Sequence, residues 1–179
     1  ALDEGLAARA FAVLDEVAGE QLERRQGTDA GTLALERLRD AVYTGRAHLT
    51  DADGNTPGSN ASDLGYRADA TGTWRPQGDR IGRLHPRLPG VVCLKVGPAR
   101  MRLVDELRRA GAPELFRDDE SLGRALHAAG LLAEHEHRDG KGPFTARLMV
   151  RGERERWLVV HWSKPTASPG ASNEVAETD

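Results

Sequence analysis

Two short helical patterns in the second half of the chain, each with a start signal and a glycine stop, constrain the fold more than any other feature. In GPARMRLVDELRRAG, Pro98 stands near the start and Gly111 follows the last turn, an arrangement typical of a complete short helix. In DDESLGRALHAAG, Asp118 or Asp119 is placed to cap the first turn and Gly130 ends the pattern. The sequence therefore predicts two helices joined by a short turn.

Strand patterns flank this helix pair. The apolar run VVCL precedes it, and the segments LLAEHEH, FTARLMV and RWLVVHW follow it, separated by the turns RDGKGP and RGERE. These three segments predict an antiparallel meander with one solvent-exposed face. The order strand, helix, turn, helix, hairpin is that of a winged helix-turn-helix. The residues expected to face inward from the two helices are Met101, Leu103, Val104, Leu107, Leu122, Ala125, Leu126 and Ala129.

The first half of the chain predicts a different kind of unit. Apolar residues recur at helical spacing over residues 2–25 and again from Leu33 to Tyr43, ending near Gly45, and the short QGTDAG connection favours an antiparallel hairpin. The next stretch is rich in Gly, Asp, Asn and Ser, and its DADGN motif indicates a turn, not a calcium loop. The sequence thus predicts an α+β chain with four parts: a helical hairpin (1–49), a flexible linker (50–80), a winged-helix-like domain (81–164) and a disordered tail (165–179).

Charge is divided unevenly along the chain. The formal net charge is -3, but residues 83–164 carry 16 basic and 11 acidic side chains, so the remainder is acidic. This polarity is typical of a nucleic-acid-binding module joined to an acidic, partner-facing segment. A mixed solvated surface would give the same count. No apolar run reaches membrane-spanning length and the single cysteine forms no internal disulfide, so we expect a cytoplasmic chain without a membrane partner.

The second helix of the pair and the RDGKGP turn, as the wing, are the expected DNA contacts. Arg124 is the best-placed helix side chain for a base edge or a phosphate. Arg138 and Lys141 flank glycines that allow a close approach of the backbone to the duplex. Nearby carboxylates oppose this interpretation, and a structural or protein-binding winged helix remains open. The predicted DNA-binding residues are Arg117, Ser121, Arg124, His127, Arg138, Lys141, Arg147, Arg151 and Arg154.

Catalytic and metal sites are not predicted. The sequence has no G-x-x-x-x-G-K-[ST] loop for a triphosphate, and Cys93 lies within an apolar strand, where a thiol is a buried hydrophobe. A zinc site at His135, His137 and His161 is the alternative that three histidines on one sheet face allow. Trp162 beside a lysine suits either a stacked, unpaired base or the edge of a small core. We expect no cofactor, no metal and no enzymatic activity.

The order of segments also resembles a known family. TGRAHLTDADG, TWRPQGDRIGRL, DDESLGRALHAAGLLAEHE and ARLMVRGERERWLVVHW are together similar to the C-terminal region of primase-helicase replication proteins of phages, plasmids and integrative elements. The resemblance covers residues 30–162. It implies a winged-helix-like module that follows an ATPase core and positions duplex, forked or single-stranded DNA near the motor. The alternative is a module that docks onto helicase or primase subunits without touching DNA.

Overall fold

The structure is a computed structural model that describes residues 29–162 except residues 59, 114, 139 and 151. These residues form a mixed α and β fold, as predicted. The first predicted helix (2–25) and the tail lie outside the described residues, and the second helix of the predicted hairpin is described. The helices and strands follow in this order: α1 (29–43), β1 (Ala47–Thr50), a 3-10 helix (Ala61–Leu64), β2 (Tyr66–Ala68), β3 (Trp74–Pro76), β4 (Asp79–Leu84), β5 (Val91–Leu94), α2 (Val96–Arg109), α3 (Asp119–Ala128), β6 (Leu132–Glu134), β7 (Ala146–Val150) and β8 (Glu153–His161).

Six of the strands form one curled sheet, in the order β1-β4-β5-β8-β6, with β7 also paired to β8. β1 runs parallel to β4, and the other pairs of this sheet are antiparallel. β2 and β3 pair separately as a small antiparallel hairpin. The sheet therefore joins the strand before the helix pair, β5, to the strands after it through β8.

The predicted meander is wrong in its pairing, because β6 pairs with β8 and not with β7. Leu132 of β6 lies opposite Val160, whereas Arg147 of β7 lies opposite Arg156. β8 is nine residues long and β6 only three. The first part of β8, residues 153–157, pairs with β7, and residues 159 and 160 pair with β6. The long loop between β6 and β7, residues 135–145, allows this offset because it frees the two strands from a tight-turn register.

Both faces of the sheet are packed. Along β5, Val92 and Leu94 face the main core beneath the helices, whereas Val91 and Cys93 face a second cluster that includes Trp157. This alternation follows from the two-residue period of a strand. The apolar run VVCL is thus a central strand that is buried on both faces, as its lack of polar residues indicates.

Helix α1 belongs to the same core as α2 and α3, which departs from the expected division into a hairpin unit and a separate winged-helix unit. Its residues Leu35, Leu38 and Val42 are buried in the main cluster. Its Gly31 approaches α3 so closely that a Cβ atom there would lie 2.2 Å from the carbonyl oxygen of Ala125. An amphipathic helix needs a partner for its apolar stripe, and α1 finds that partner in α3 and the sheet.

Residues 50–80, expected to form a flexible linker, are built into the fold wherever the structure describes them. Leu64 and Tyr66 are buried in the main core. Polar turns connect the short elements: the Asp51 carboxylate accepts the backbone N–H groups of residues 53 and 55 at 3.0 and 2.6 Å. Asp69 accepts those of residues 71 and 73, and its hydrogen bond from the Thr71 hydroxyl contributes most to lowering its pKa to about 2. These Asx turns add to the burial of Leu64 and Tyr66 in holding the segment in place, and DADGN is a turn, as predicted.

The inward stripes of the helices are mostly confirmed. Leu103 and Leu107 of α2 are buried, as are Leu122, Ala125 and Leu126 of α3. Two expectations are wrong, since Met101 is 57% exposed and Tyr43 is 56% exposed. The buried stripe of α2 runs through Ala99, Leu103 and Leu107 at spacings of four, which places Met101 about 200° around the helix from Ala99. No helix in the described part of the chain combines the length and the apolar character that crossing a bilayer requires.

Candidate nucleic-acid interface

Helix α3 is held in place by a complete N-terminal cap. The Asp118 carboxylate accepts the backbone N–H of Ser121 at 2.7 Å, and the Ser121 hydroxyl lies 3.3 Å from the backbone nitrogen of Asp118. The hydrogen bond from the Ser121 backbone keeps the pKa of Asp118 below its ordinary value. The predicted N-cap is therefore confirmed as Asp118. Ser121, a predicted DNA contact, is half-buried, and its hydroxyl also donates to the Asp118 carbonyl at 2.7 Å.

Two arginines near the start of α3 form ion pairs with acids on that helix. Arg124 contacts Glu120 one turn earlier at 2.7 Å, and Arg100 of α2 contacts Asp119 at 2.8 Å. Arg100 also reaches the carbonyl of Arg117, whose own side chain is exposed. The predicted contact Arg124 thus faces solvent with a tethered carboxylate already on its guanidinium, and a phosphate would have to compete with it.

The β7–β8 hairpin presents arginines differently. Arg147 lies directly opposite Arg156, and Met149 lies directly opposite Arg154. Since opposed residues and residues two apart in a strand share a face, these four exposed side chains project to one side of the hairpin. Leu158, two residues after Arg156, faces the main core beneath the helices. The arginine face of the hairpin is therefore the face on which α3 also lies.

Only loose ion pairs occupy this arginine face in the described part of the chain. Glu136 lies 3.7 Å from Arg147 and 3.9 Å from Arg156, too far for hydrogen bonds. Arg154 has no ion pair with any described residue. Arg156 contributes to the predicted positive charge but is missing from the predicted contacts; the alternation of the RERERW segment could have placed it beside Arg154. The predicted contact Arg151 lies outside the described residues.

The loop at 135–145 carries the remaining predicted cations. Arg138 and Lys141 are both exposed, and their backbones exchange two hydrogen bonds at 2.8 and 2.9 Å. Gly142 adopts a φ of 86°, and a Cβ atom there would lie 2.8 Å from the Glu136 carbonyl oxygen. A glycine is required at this position, so the glycines of RDGKGP shape the loop as well as clear space around it.

His127 is exposed on α3, and its ring lies among other rings. Its ring centroid is 4.8 Å from that of His135 and 5.2 Å from that of His137, and Phe144 stacks on His137 at 4.2 Å. Partial desolvation, followed by the two neighbouring imidazoles, lowers the pKa of His127. The grouping expected for the zinc alternative included His161 in place of His127. Among the described residues, no group of three His, Cys, Asp or Glu side chains is arranged to hold a metal.

A groove of about 570 Å³ separates the start of α3 from the hairpin and the 135–145 loop. We call it the α3–hairpin groove. The loop closes tightly onto α3, because a Cβ atom on Gly123 would lie 2.8 Å from the Cβ of Phe144. Gly123 is therefore buried. The residues that give the groove its chemistry are Asp119, Glu120, His137, Phe144, Arg156 and Leu158.

Two other candidate groups lie away from this groove. Cys93 is fully buried, and desolvation raises the pKa of its thiol to about 11, so the thiol is protonated at neutral pH. Trp162 packs against the main core with the Arg39 guanidinium 5.8 Å from its ring centre, which favours the core-edge interpretation. A search of family models, of curated proteins and of solved structures finds no match to this chain.

Proposed function

We propose that this chain is a DNA-binding module with a winged-helix arrangement. The order β5, α2, α3, β6, β7, β8 supports the proposal, as does the sheet order β5-β8-β6, which pairs the strand before the two helices with the last strand after them. α1 packs against α3 as a third helix. In this arrangement α3 is the helix that approaches the major groove, and the hairpin with the 135–145 loop acts as the wing.

The observation that carries the proposal is the arginine face of the β7–β8 hairpin. Arg147, Arg154 and Arg156 project to one side, next to α3, and no hydrogen-bonded carboxylate among the described residues neutralises them. Guanidinium groups in such a row offer positive charge and bidentate hydrogen bonds to the phosphates of a nucleic-acid backbone. Arg138 and Lys141 at the exposed loop tip extend the same positive surface. The hairpin therefore makes the main contacts with phosphates, and α3 makes the lesser ones.

The proposed role is to hold duplex or forked DNA beside the motor of a mobile-element primase-helicase in the cytoplasm. The resemblance of the sequence over residues 30–162 supports this context. The 179 residues contain no phosphate-binding G-x-x-x-x-G-K-[ST] loop, so the module binds and positions DNA while a separate ATPase core supplies the hydrolysis.

Fluorescence anisotropy with labelled duplex, forked and single-stranded DNA tests the proposal. With about four phosphate contacts, raising the salt from about 50 to about 200 mM should weaken binding roughly 100-fold. Circular dichroism on the same sample establishes that the protein is folded. A folded protein that binds none of the three DNA forms at low salt would end the DNA-binding proposal.

A protein-docking module is the second candidate, and the exposed apolar side chains outside the groove favour it. Met101 on α2 is 57% exposed, and Leu115 in the α2–α3 connection is 42% exposed. Exposed apolar side chains of this size are typical of contact surfaces when they cluster. Light scattering after size exclusion, with and without helicase or primase subunits, measures this activity. Complex formation that Met101→Lys abolishes, in a protein that binds no DNA, would favour the second candidate.

A further inference from the structure

We propose that the α3–hairpin groove receives one unpaired nucleobase that carries an exocyclic amino group. The inference rests on the proposed DNA-binding function and specifies the form of DNA that the module engages. The groove volume of about 570 Å³ lies within the range of pockets that enclose small organic ligands. It opens beside the arginine face, so a strand whose phosphates lie on the hairpin has its bases next to the groove.

Aromatic rings supply a stacking surface inside the groove. Phe144 and His137 both line it, and their rings stack on each other at 4.2 Å with an interplanar angle of 25°. One hydrogen bond orients the His137 ring, since its Nδ1 lies 2.6 Å from the Gly142 carbonyl oxygen. A preformed aromatic pair costs little conformational entropy when a base stacks on it. Leu158 of β8 and Val96 at the start of α2 add apolar surface to the groove.

The two ends of the groove differ in charge. Arg156 lies at the hairpin end, with a guanidinium that makes only a 3.9 Å contact to Glu136, so its N–H groups are available to a phosphate. Asp119 and Glu120 lie at the α3 end, and each already has one arginine partner. Those partners reduce the repulsion of a phosphate but leave carboxylate oxygens that can still accept hydrogen bonds.

This polarity matches a nucleotide better than a peptide. The amino group of cytosine or adenine donates to a carboxylate, whereas thymine has no amino group to offer. Thr145 adds a polar group, because its hydroxyl oxygen is buried without a hydrogen-bond partner among the described residues and the residue lines the groove. A basic peptide would satisfy the carboxylates but would place its cations near Arg156.

Pyrimidine oligonucleotides test the base contact separately from stacking. Binding of an alternating thymidine-cytidine strand is compared with that of an all-thymidine strand of equal length, since both present rings of similar size. We expect the mixed strand to bind about fivefold or more tightly. The double variant Asp119→Ala, Glu120→Ala should abolish the preference while leaving or raising affinity for the all-thymidine strand, because two negative charges are gone. The control Asp105→Ala, on α2 outside the groove, should retain it.

A 2-aminopurine base in the single-stranded arm of a forked DNA reports stacking directly. Its emission should change on binding the wild type and not on binding Phe144→Leu, whereas Tyr43→Leu, an exposed aromatic outside the groove, should behave as the wild type. Thermal unfolding verifies that each variant is folded, and Phe144→Tyr should restore the signal if the leucine variant is unstable.

The possible failures are distinguishable. Equal binding of the two pyrimidine strands, with no change in 2-aminopurine emission, would overturn the base pocket while DNA binding through the arginines stands. A second contrary outcome is that the protein shows no preference between the two strands and that only an arginine-rich peptide displaces the 2-aminopurine base. That result would assign the groove to a peptide and also overturn the inference. Absence of any DNA binding would remove the proposed function and this inference together.

Discussion

The helical side and the hairpin side of the α3–hairpin groove both carry arginines, but they use them in different ways. Arg100 and Arg124 on the helices contact acids at 2.8 and 2.7 Å, within hydrogen-bond distance. Arg147 and Arg156 on the hairpin share one glutamate at 3.7 and 3.9 Å. The number of basic residues in a segment therefore does not measure the positive charge that it offers to a partner, because local carboxylates decide how much remains.

The same difference extends to the core side of α2. Glu106 is buried, receives two hydrogen bonds from Arg46 at 2.9 and 2.8 Å, and also contacts Arg102 and Arg109 at 3.7 and 3.5 Å. Arg102 in turn is paired with Asp79. These ion pairs thus join α2 to the connection between α1 and β1, through Arg46, and to β4, through Asp79, whereas the hairpin arginines face solvent.

Removing the buried carboxylate should have the largest effect. Glu106→Gln leaves the Arg46, Arg102 and Arg109 guanidinium groups without their shared anion, so we expect the free energy of unfolding to fall by about 3 kcal/mol. Chemical denaturation measures it. The control Asp105→Asn removes a 44% exposed carboxylate with one 3.4 Å contact and should cost less than about 0.5 kcal/mol. Equal losses of unfolding free energy in the two variants would show that the buried Glu106 network stabilises the fold no more than an exposed ion pair does.

The hairpin arginines should have the next largest effect, on affinity instead of stability. The double variant Arg147→Gln, Arg156→Gln should weaken duplex binding about 30-fold, or about 2 kcal/mol, because two phosphate contacts are lost. Its thermal unfolding should match the wild type, since both side chains are about half exposed. Arg108→Gln, an exposed arginine at the end of α2, is the matched control. Unchanged affinity in the double variant would move the interface away from the hairpin.

Acidic pH should lower the stability of the fold. Desolvation lowers the pKa of His127 at the α3–loop contact and of His48 and His85 in the sheet. Below a pH of about 6.5, the ordinary histidine pKa, the unfolded chain binds more protons than the folded one. Stability should therefore be fully present above that pH and decline as the pH falls below it. Denaturation at a series of pH values measures the decline, which His127→Gln should reduce. Greater stability at acidic pH would contradict it.

The smallest effect is expected for the residue that the sequence favoured most. Arg124→Gln should change duplex affinity less than about twofold, because Glu120 already neutralises that guanidinium in part. Glu120→Gln, which releases Arg124, is the informative companion variant and should strengthen binding slightly. A loss of tenfold or more in Arg124→Gln would place the main contact on α3 and reverse the comparison between the two sides.

The sequence predicted the helices of the second half well because their signals are local. Asp118, Gly111 and Gly130 mark helix ends through contacts within one turn. The sequence could not predict that α1 packs against α3, since the only trace of that contact is Gly31, a residue that a linker also favours. The order of residues 50–80 depends on Asp51 and Asp69 accepting backbone hydrogen bonds, and composition alone cannot tell such turns from a flexible chain.

The positions of the charged residues were predictable, but only some of their ion pairs were. Arg124 and Glu120 stand four apart, a spacing that favours pairing on a helix, so their contact could have been expected. The exposure of the hairpin arginines depends on the register that sets Arg147 opposite Arg156. The two-residue connection between the paired residues Val150 and Glu153 fixes that register, and the sequence pattern did not locate this connection. The groove likewise depends on the closure of the 135–145 loop onto Gly123.

The dependence of duplex affinity on salt, measured for two double variants, tests most directly the claim that the hairpin leads the contact. The slope of the logarithm of the association constant against the logarithm of the salt concentration should be about -4 for the wild type and about -2 for Arg147→Gln, Arg156→Gln. For Arg100→Gln, Arg124→Gln the slope should stay near the wild-type value, because those arginines are already paired with Asp119 and Glu120. A slope that falls for the helix variant and is unchanged for the hairpin variant would contradict the account.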